Sequence, residues 1–171
     1  MSLALSAVGI RAAGAADAGA IAAIHNQGIA ERAATFDTDD VTAQDVLAWL
    51  GDARAPFLVA ELGGRVAGWA RVIRSGERCA LAGVGEYTIY LDREARGRGI
   101  GRRLLDDLAA AAEADGYWKL QGRLFTSNAA SAALARRCGF REVGVYERHG
   151  RLGGEWKDLL IVERLLGEAK G

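Results

Sequence analysis

The chain has 171 residues, of which 50% are apolar, a size and composition that suit one domain with its own core. Its 22 basic residues balance 22 acidic ones, so no global field favours nucleic acid or an anionic membrane. No apolar run approaches the ~18 residues of a membrane span, and two cysteines are too few for a disulfide scaffold or a metal cluster. We therefore expect one cytoplasmic domain over 8–165 without metal, nucleic acid or membrane, and flexible ends at 1–7 and 166–171.

The first half of the chain predicts a strand, two helices and a hairpin. A short strand at 8–11 precedes an Ala-rich helix with Asp17 in its first turn. Thr42, with Asp45 three residues on, is typical of a helix N-cap. The buried face of that second helix is expected to comprise Val46, Leu47, Trp49 and Leu50.

Two strands on either side of Gly63-Gly64, at 57–62 and 65–73, give a strong hairpin signal. After a mixed connection over 74–85, the pattern predicts two strand–helix units and two closing strands. These elements are a strand from Glu86, a helix from Ile100 to near Gly116, a strand at 118–125, a short helix ending at Cys138, a strand at 140–146, a loop at 147–155 and a final strand at 156–163. This order predicts a mixed α/β layer domain.

A Gly- and Arg-rich turn, Arg96–Arg102, joins the strand from Glu86 to the long helix. Glycines let a backbone approach a phosphate diester, and a helix N-terminus adds partial positive charge. A Walker loop would need a Gly-Lys-Ser/Thr ending, which is absent. A dinucleotide fingerprint would need a third glycine where Arg102 stands. The ordinary alternative is a tight turn with solvated arginines.

The remaining pattern, Arg96-x-x-Gly99-x-Gly101, resembles the acetyl-coenzyme A pyrophosphate loop of the GCN5-related N-acetyltransferases. Asn128-x-x-Ser131 resembles the second coenzyme site of that family, and Gly139-Phe140 resembles its usual helix-to-strand junction. The resemblance covers residues 8–165. It implies the acyl-CoA N-acyltransferase (GNAT) fold, a central twisted, mostly antiparallel sheet flanked by helices.

Other segments resemble one branch of this family, the phosphinothricin N-acetyltransferase-like proteins: His25-Asn26, Phe36, Val66-Ala67-Gly68-Trp69, and Trp156 with Asp158. The chain departs from that branch where a Gly-Pro-Trp-Arg segment usually follows the hairpin, because Ile73-Arg74-Ser75-Gly76 stands there. The resemblance therefore implies acyl transfer without naming the herbicide as the substrate.

The resemblance also implies acetyl-CoA as co-substrate and a set of residues that hold it. Main-chain groups of β-strand residues would pair with the pantetheine arm as an added strand would. The implied set is Ile89, Tyr90, Leu91, Arg96, Gly97, Arg98, Gly99, Ile100, Gly101, Arg102, Asn128 and Ser131.

Glu86 is the best candidate for the general base. An alkylammonium group titrates near ~10.4, so an acceptor amine must lose a proton before it can attack near neutral pH. By alternation Glu86 shares a sheet face with Thr88 and Tyr90, where a carboxylate is costly unless hydrated or partnered. Glu86 also resembles the catalytic Glu of the branch. The alternative is an edge-strand charge that faces solvent.

The sequence marks the general acid less specifically than the general base. Tyr146 is either that acid or a core aromatic, and His149 is either an acid or base or a solvated loop residue. His25 is expected to be a structural histidine near the substrate mouth. Cys138, beside Gly139, is expected to pack rather than to carry an acyl group.

An amino-acid-like substrate carries an acid group that needs cationic partners. Arg71, Arg74 and Arg78 precede Glu86 and are the candidates, and Phe36 is a candidate pocket wall. Taken alone, each arginine fits a solvated side chain better than a ligand, and Phe36 could be a core anchor.

The favoured hypothesis is an N-acetyltransferase that acetylates a small amino-acid-like amine, such as phosphinothricin, methionine sulfone or methionine sulfoximine, by direct attack with Glu86 as base. The alternatives are an enzyme of the same fold that acetylates protein N-termini or lysines, and a coenzyme-binding module without catalysis. By analogy with the branch we also expect a homodimer.

Overall fold

The computed structural model describes residues 8–52, 54–76 and 79–171. The flexible start expected at 1–7 and the candidate residue Arg78 lie outside the described residues. The strands are β1 (Val8–Ala12), β2 (Phe57–Leu62), β3 (Arg65–Arg74), β4 (Val84–Leu91), β5 (Lys119–Phe125), β6 (Arg141–Leu152) and β7 (Glu155–Leu165). The helices are α1 (Ala18–Glu31), α2 (Ala43–Leu50), α3 (Ile100–Ala114) and α4 (Ala129–Arg137).

The strands form one 7-stranded sheet in the order β1-β2-β3-β4-β5-β7-β6. Every neighbouring pair is antiparallel except β4 and β5, which are parallel and are connected through α3. This is the mixed sheet with flanking helices that the sequence predicts.

One face of the sheet packs against α3 and α4. Leu104, Leu105 and Leu108 of α3 are 0% exposed and contact strand side chains that include Val72 and Tyr87. The helical spacing of these leucines places them on one side of α3, where burial is the main source of stability.

The opposite face packs against α1 and α2. Ile21 and Ile24 of α1 and Val46 of α2 enclose Trp69 of β3 in a second core cluster, with Tyr90 at its edge. Trp69, Arg71 and Ile73 of β3 and the even-numbered residues of β4 point to this side, because successive strand side chains alternate between faces. Glu86, Thr88 and Tyr90 therefore share this face, as the sequence alternation predicts.

Helix α2 begins as predicted, with a capping box in which Asp45 N–H donates to Thr42 Oγ1 and Thr42 N–H donates to Asp45 Oδ2 at 2.8 Å. Its expected buried face is only partly correct. Val46 is fully buried and Trp49 packs against the core, but Leu47 is 38% exposed. The reason is that α2 spans eight residues and covers the sheet along a narrow stripe.

The largest difference from the sequence prediction lies at the end of the chain. The loop expected at 147–155 is mostly strand, since β6 continues to Leu152 and pairs with β7 around Gly153-Gly154. These two glycines have φ values of 58° and 85°, in the left-handed region that a tight hairpin turn uses. A register shift between Tyr146 and Gly150 interrupts the pairing and explains why the segment lacks clean alternation.

The C-terminal end, expected to be flexible after 165, packs onto the domain instead. Leu166 is 0% exposed, and its N–H donates to the Trp118 carbonyl at 2.8 Å. A 3-10 turn at Gly167–Lys170 follows, with Lys170 beside Glu113. Within the described part of the chain, no helix has the length and apolar character needed to cross a membrane.

Candidate active site

A split in the sheet opens between the two parallel strands. β4 and β5 pair only at Val84–Lys119, Gly85–Leu120 and Glu86–Gln121. Beyond Glu86, β4 continues to Leu91 with β3 as its only strand partner among the described residues. The β5-facing backbone groups of this stretch, which includes Ile89 and Tyr90, are therefore available to an extended ligand.

The turn that follows β4 is a cradle of main-chain amides. Gly97 and Gly99 have φ values of 74° and 78°, which glycine adopts at little cost. Gly99 is also the N-cap of α3 and supplies no side-chain cap, so the first amides of the helix, beginning at Ile100, have no intrahelical acceptor. Gly101 lies so close to its neighbours that a Cβ there would stand 3.2 Å from Leu91 Cδ1. These features fit a diphosphate at a helix N-terminus.

The three arginines of this turn lie in different surroundings. Arg96 folds back over the turn, with Nη1 donating to Glu31 Oε2 at 2.8 Å and Nε donating to the Leu91 carbonyl at 3.3 Å. Arg98 and Arg102 are exposed beside the glycines, and Arg102 lies 3.8 Å from Asp106. Arg96 therefore fastens the turn to α1, while the other two guanidinium groups are accessible to an anion.

Asn128 links two parts of the site. Its Oδ1 accepts from Ser131 N–H at 3.1 Å and so caps α4. Its Nδ2 donates to the Ala33 carbonyl at 3.1 Å, on the segment after α1. Asn128 thus links the start of α4 to the segment Ala33–Asp37, which we call the strap.

The strap crosses the face of the sheet that carries Glu86, Thr88 and Tyr90, which we call the acceptor face. Phe36 packs edge-on against Phe125 of β5, with ring centroids 4.9 Å apart, and a Cβ on Gly150 would lie 2.6 Å from its ring. Asp37 Oδ2 contacts His25 Nε2 at 3.1 Å. The strap therefore spans from α1 to β6 over the split, and Phe36 packs against a core cluster that includes Phe125.

Glu86 lies at the closed end of the split and has a cationic partner. Arg123 of β5 contacts Glu86 Oε2 through Nε at 2.9 Å and through Nη2 at 2.7 Å. The Glu86 side chain is 21% exposed and that of Arg123 is 47% exposed, so the pair is in contact with solvent. The carboxylate is thus both partnered and reachable from the split.

The face around Glu86 carries a row of cross-strand pairs. Trp69 opposes Tyr90, Arg71 opposes Thr88, and Ile73 opposes Glu86. The Arg71 guanidinium lies 4.2 Å from the Trp49 ring centroid, and burial lowers the pKa of Arg71. No carboxylate in the described residues forms a salt bridge with it. A half-buried cation without an acidic partner indicates a place for a ligand oxygen.

Unsatisfied polar atoms concentrate on this face. In the described residues, the buried side-chain atoms without a hydrogen-bond partner are His25 Nδ1, Trp69 Nε1, Arg71 Nε and Thr88 Oγ1. His25 lies 4.7 Å from Tyr90 and stacks on Trp69 at 5.7 Å, ring centroid to ring centroid. Buried polar groups are normally paired, so such a group of orphans favours a bound molecule or water. Three of the four are donors, which suits an oxygen-rich ligand.

Burial shifts the pKa values of two titratable groups on this face, His25 and Tyr90. Burial lowers the pKa of His25, and the hydrogen bond with Asp37 offsets part of that effect. Burial raises the pKa of Tyr90 to about 12. His25 is therefore a buried neutral histidine beside the acceptor face, and its Nδ1 has no hydrogen-bond partner in the described residues.

The other candidate residues lie elsewhere. Tyr146 and His149 are exposed on β6, with ring centroids 5.1 Å apart, and two strands separate β6 from β4. Three strand spacings place them about 14 Å from Glu86 along the sheet. Arg74 is exposed at the end of β3 and points to the α3 face, near Tyr117. The structure does not bring these three residues to Glu86.

Cys138 is buried at the end of α4. Burial raises the pKa of its thiol to about 12, so the group stays protonated near neutral pH. This agrees with the packing role predicted for it.

Arg123 is the functional candidate that sequence reasoning missed. It lies 37 positions from Glu86, and no local motif marks it. The alternation of β5 places Gln121, Arg123 and Phe125 on one face, which is a usable signal once the register with β4 is known.

A split between parallel strands, followed by an amide cradle at a helix N-terminus, defines an acyl-coenzyme A-dependent acyltransferase fold. The model of the acetyltransferase (GNAT) family matches residues 23–140 of this chain. The chain therefore belongs to the GNAT acetyltransferases and is an N-acetyltransferase.

Three similar proteins illustrate its relatives. An L-methionine sulfoximine/L-methionine sulfone acetyltransferase of Pseudomonas paraeruginosa is 34% identical over 159 residues, covering 90% of this chain and 92% of that protein. A phosphinothricin acetyltransferase of Sinorhizobium meliloti, solved in complex with AcCoA, superposes with a TM-score of 0.89 at 30% identity, covering 95% of this chain and 90% of that one. A ribosomal-protein-alanine N-acetyltransferase of Brucella melitensis superposes with a TM-score of 0.87 at 34% identity, covering 92% and 99%.

Proposed function

We propose that this enzyme transfers an acetyl group from acetyl-CoA to the amine of a small amino-acid-like acceptor that carries oxygen atoms on its side chain. The observation that supports this most directly is the split beyond Glu86, which has the amide cradle at one end and a carboxylate at the other. The substrates in the names of the Pseudomonas and Sinorhizobium relatives, methionine sulfoximine or sulfone and phosphinothricin, belong to this chemical class.

The residues present fit the coenzyme. The amides that begin at Ile100 and the exposed guanidinium groups of Arg98 and Arg102 would hold the diphosphate. The free edge of β4, from Ile89 to Leu91, would pair with the pantetheine arm. When bound, acetyl-CoA supplies an acetyl group activated as a thioester.

Glu86 takes the proton of the acceptor ammonium, directly or through water. Only Oε2 of its carboxylate contacts Arg123, so Oε1 is available to the amine in the described part of the structure. A main-chain N–H on the free edge of β4 would stabilise negative charge on the carbonyl oxygen.

The acceptor side chain would lie beneath the strap. Arg71 Nε, Thr88 Oγ1 and Trp69 Nε1 are buried donors without acceptors, and they match the oxygens of a sulfone, sulfoximine or phosphinate. Phe36 and Trp49 supply apolar walls. Because these donors have no solvent contact, groups that cover them must rearrange for the acceptor to reach them.

A second candidate function is acetylation of a protein N-terminus. It is favoured by the similarity to the Brucella enzyme named for ribosomal-protein alanine. That reaction needs room for a peptide beyond the first residue. The strap closes the acceptor face between Ala33 and Asp37 and favours the smaller acceptor.

The proposed function is tested by measuring coenzyme A release with a panel of free amino acids, their oxidised analogues and short peptides. In the same assay, Glu86→Gln should lower kcat by about 10²- to 10⁴-fold, while a thermal shift with acetyl-CoA stays unchanged. Glu142→Gln is the matched control, because Glu142 is also paired with an arginine but lies on β6. Full activity of Glu86→Gln would contradict the base role. A wild-type protein that binds acetyl-CoA but reacts with no acceptor would instead favour a binding module.

We also propose that the protein is a homodimer. β6 is an edge strand that exposes Val143 and Val145, each 49%, and the neighbouring Trp156 of β7 is 54% exposed. Apolar side chains on an unpaired edge are typical of a protein interface. Light scattering on the purified protein measures the mass, and a monomer at micromolar concentration would contradict this proposal.

A further inference from the structure

The contact between Arg123 and Glu86 leaves one polar atom of each side chain without a partner among the described residues. Arg123 uses Nε and Nη2, and both contact the same oxygen, Glu86 Oε2. Within the described residues, Arg123 Nη1 donates no hydrogen bond, and Glu86 Oε1 accepts none. The pair thus presents an unused cationic donor next to an unused anionic acceptor.

The position of the pair makes these groups reachable. Arg123 lies two residues beyond Gln121, which is the last residue of β5 that pairs with β4. The contact therefore bridges the split where the strands begin to diverge. With 47% of its side chain exposed, Arg123 is open to a ligand in the split, whereas Arg71 Nε is buried and Arg74 points to the opposite face.

We propose that Arg123 binds the α-carboxylate of the acceptor, while Glu86 receives its ammonium group. An α-amino acid carries these opposite charges on adjacent carbons, so the zwitterion complements an ion pair whose nitrogen and oxygen are 2.7 Å apart. Arg123 is then a specificity-determining residue that selects free amino acids over simple amines and over peptide N-termini, which have an amide in place of the carboxylate.

This inference depends on the proposed function and assigns a recognition residue within it. A second consequence concerns Glu86 itself. A partner on β5 restricts the carboxylate to the closed end of the split, so Arg123 also positions the proposed base. The carboxylate-recognition role is separable from this positioning role, because only recognition depends on the acid group of the acceptor.

The experiment compares L-methionine sulfone with 3-(methylsulfonyl)propan-1-amine, which is the same molecule without its carboxylate. Each acceptor is compared with itself across variants, so the difference in amine basicity cancels. For Arg123→Gln we expect kcat/KM to fall about 10- to 100-fold for the amino acid, mostly through KM, and by less than about 3-fold for the amine. Arg123→Lys should restore part of the loss, since it keeps the charge.

Arg136→Gln is the matched control. Arg136 also places Nε and Nη2 on one carboxylate oxygen, that of Glu142, but on the exposed surface of α4 and β6. This variant should leave both acceptors unchanged. Circular dichroism and the melting temperature of each variant establish that the fold is intact.

The outcomes separate the inference from the proposed function. An equal loss of kcat/KM for both acceptors in Arg123→Gln would overturn carboxylate recognition, as would no loss for either. A wild-type enzyme that acetylates amines but no free amino acid would also overturn it, while leaving the acetyltransferase activity in place. If the wild-type enzyme binds acetyl-CoA but acetylates only peptide N-termini, the proposed acceptor class is itself wrong.

Discussion

The two faces of the sheet are built from the same strands but differ in kind. On the face under α3, aliphatic side chains of the helix such as Leu104 and Leu108, both 0% exposed, pack with residues that include Tyr87 and Phe140. The face under α1, α2 and the strap carries aromatic rings, an arginine without an acidic partner in the described residues, and all four of the buried side-chain atoms there that lack a hydrogen bond.

This difference shows how one sheet separates stability from function. Close-packed aliphatic groups stabilise the fold because they leave little polar surface to satisfy. Unsatisfied donors destabilise the empty protein and are retained where a ligand can complete them. We therefore expect substitutions on the α3 face to change stability, and substitutions on the acceptor face to change kinetics.

The largest expected effect is that of Leu108→Ala on the α3 face. Removing a fully buried leucine should lower the free energy of unfolding by about 2–5 kcal/mol, because it deletes apolar contacts and leaves a cavity. Urea unfolding followed by circular dichroism measures this change. Leu47→Ala, at a position 38% exposed, is the control and should cost less than about 1 kcal/mol. Equal costs at both positions would contradict the assigned cores.

Arg71→Met tests the acceptor face, where we expect a substitution to lower activity without lowering stability. The melting temperature should stay the same or rise, because a half-buried cation without an acidic partner is replaced by an apolar side chain of similar length. Activity should fall with acceptors that carry side-chain oxygens: we expect a loss of about 10-fold in kcat/KM for methionine sulfone. Norleucine, which lacks those oxygens, is the matched acceptor and should be unaffected. A large loss of stability would show that Arg71 is a structural residue.

Gly150→Ala tests the strap without changing a strap residue. The new Cβ would lie 2.6 Å from the Phe36 ring, so the ring must shift away from β6. We expect KM for the acceptor to rise about 3- to 10-fold, while KM for acetyl-CoA stays unchanged. Gly144→Ala on the same strand is the control, because nothing lies within 4 Å of the Cβ position there. Similar kinetics in the two variants would exclude the strap from acceptor binding.

The smallest expected effect is a pH dependence of stability that originates at His25. Burial lowers the pKa of His25, so the folded state resists a proton that the unfolded chain accepts near pH ~6.5. As far as His25 is concerned, the free energy of unfolding is therefore highest above pH ~6.5. It declines as the pH falls toward the pKa of His25 in the folded state. Thermal melts across this window should show a modest decline that is weaker in His25→Gln. His149→Gln, at an exposed site on β6, should show the same decline in melting temperature as the wild-type protein.

The sequence alone determined the parts of this protein that depend on local chemistry. The β4–turn–α3 unit follows from alternation, glycines and helical spacing, because each acts within a few residues. The same holds for the Thr42 cap and for Asn128 at the start of α4, where a side chain bonds the backbone three residues on. The family and its mixed sheet could be predicted from these local units.

Only the tertiary structure decided which distant side chains meet. The contact between Glu86 and Arg123 depends on the register of two parallel strands, and a shift of one residue would move Arg123 to the α3 face. The strap over the split and the extension of β6 to Leu152 likewise depend on packing between segments far apart in the chain. Local patterns carry no information about such pairings, because the energies that select them arise only when the sheet is assembled.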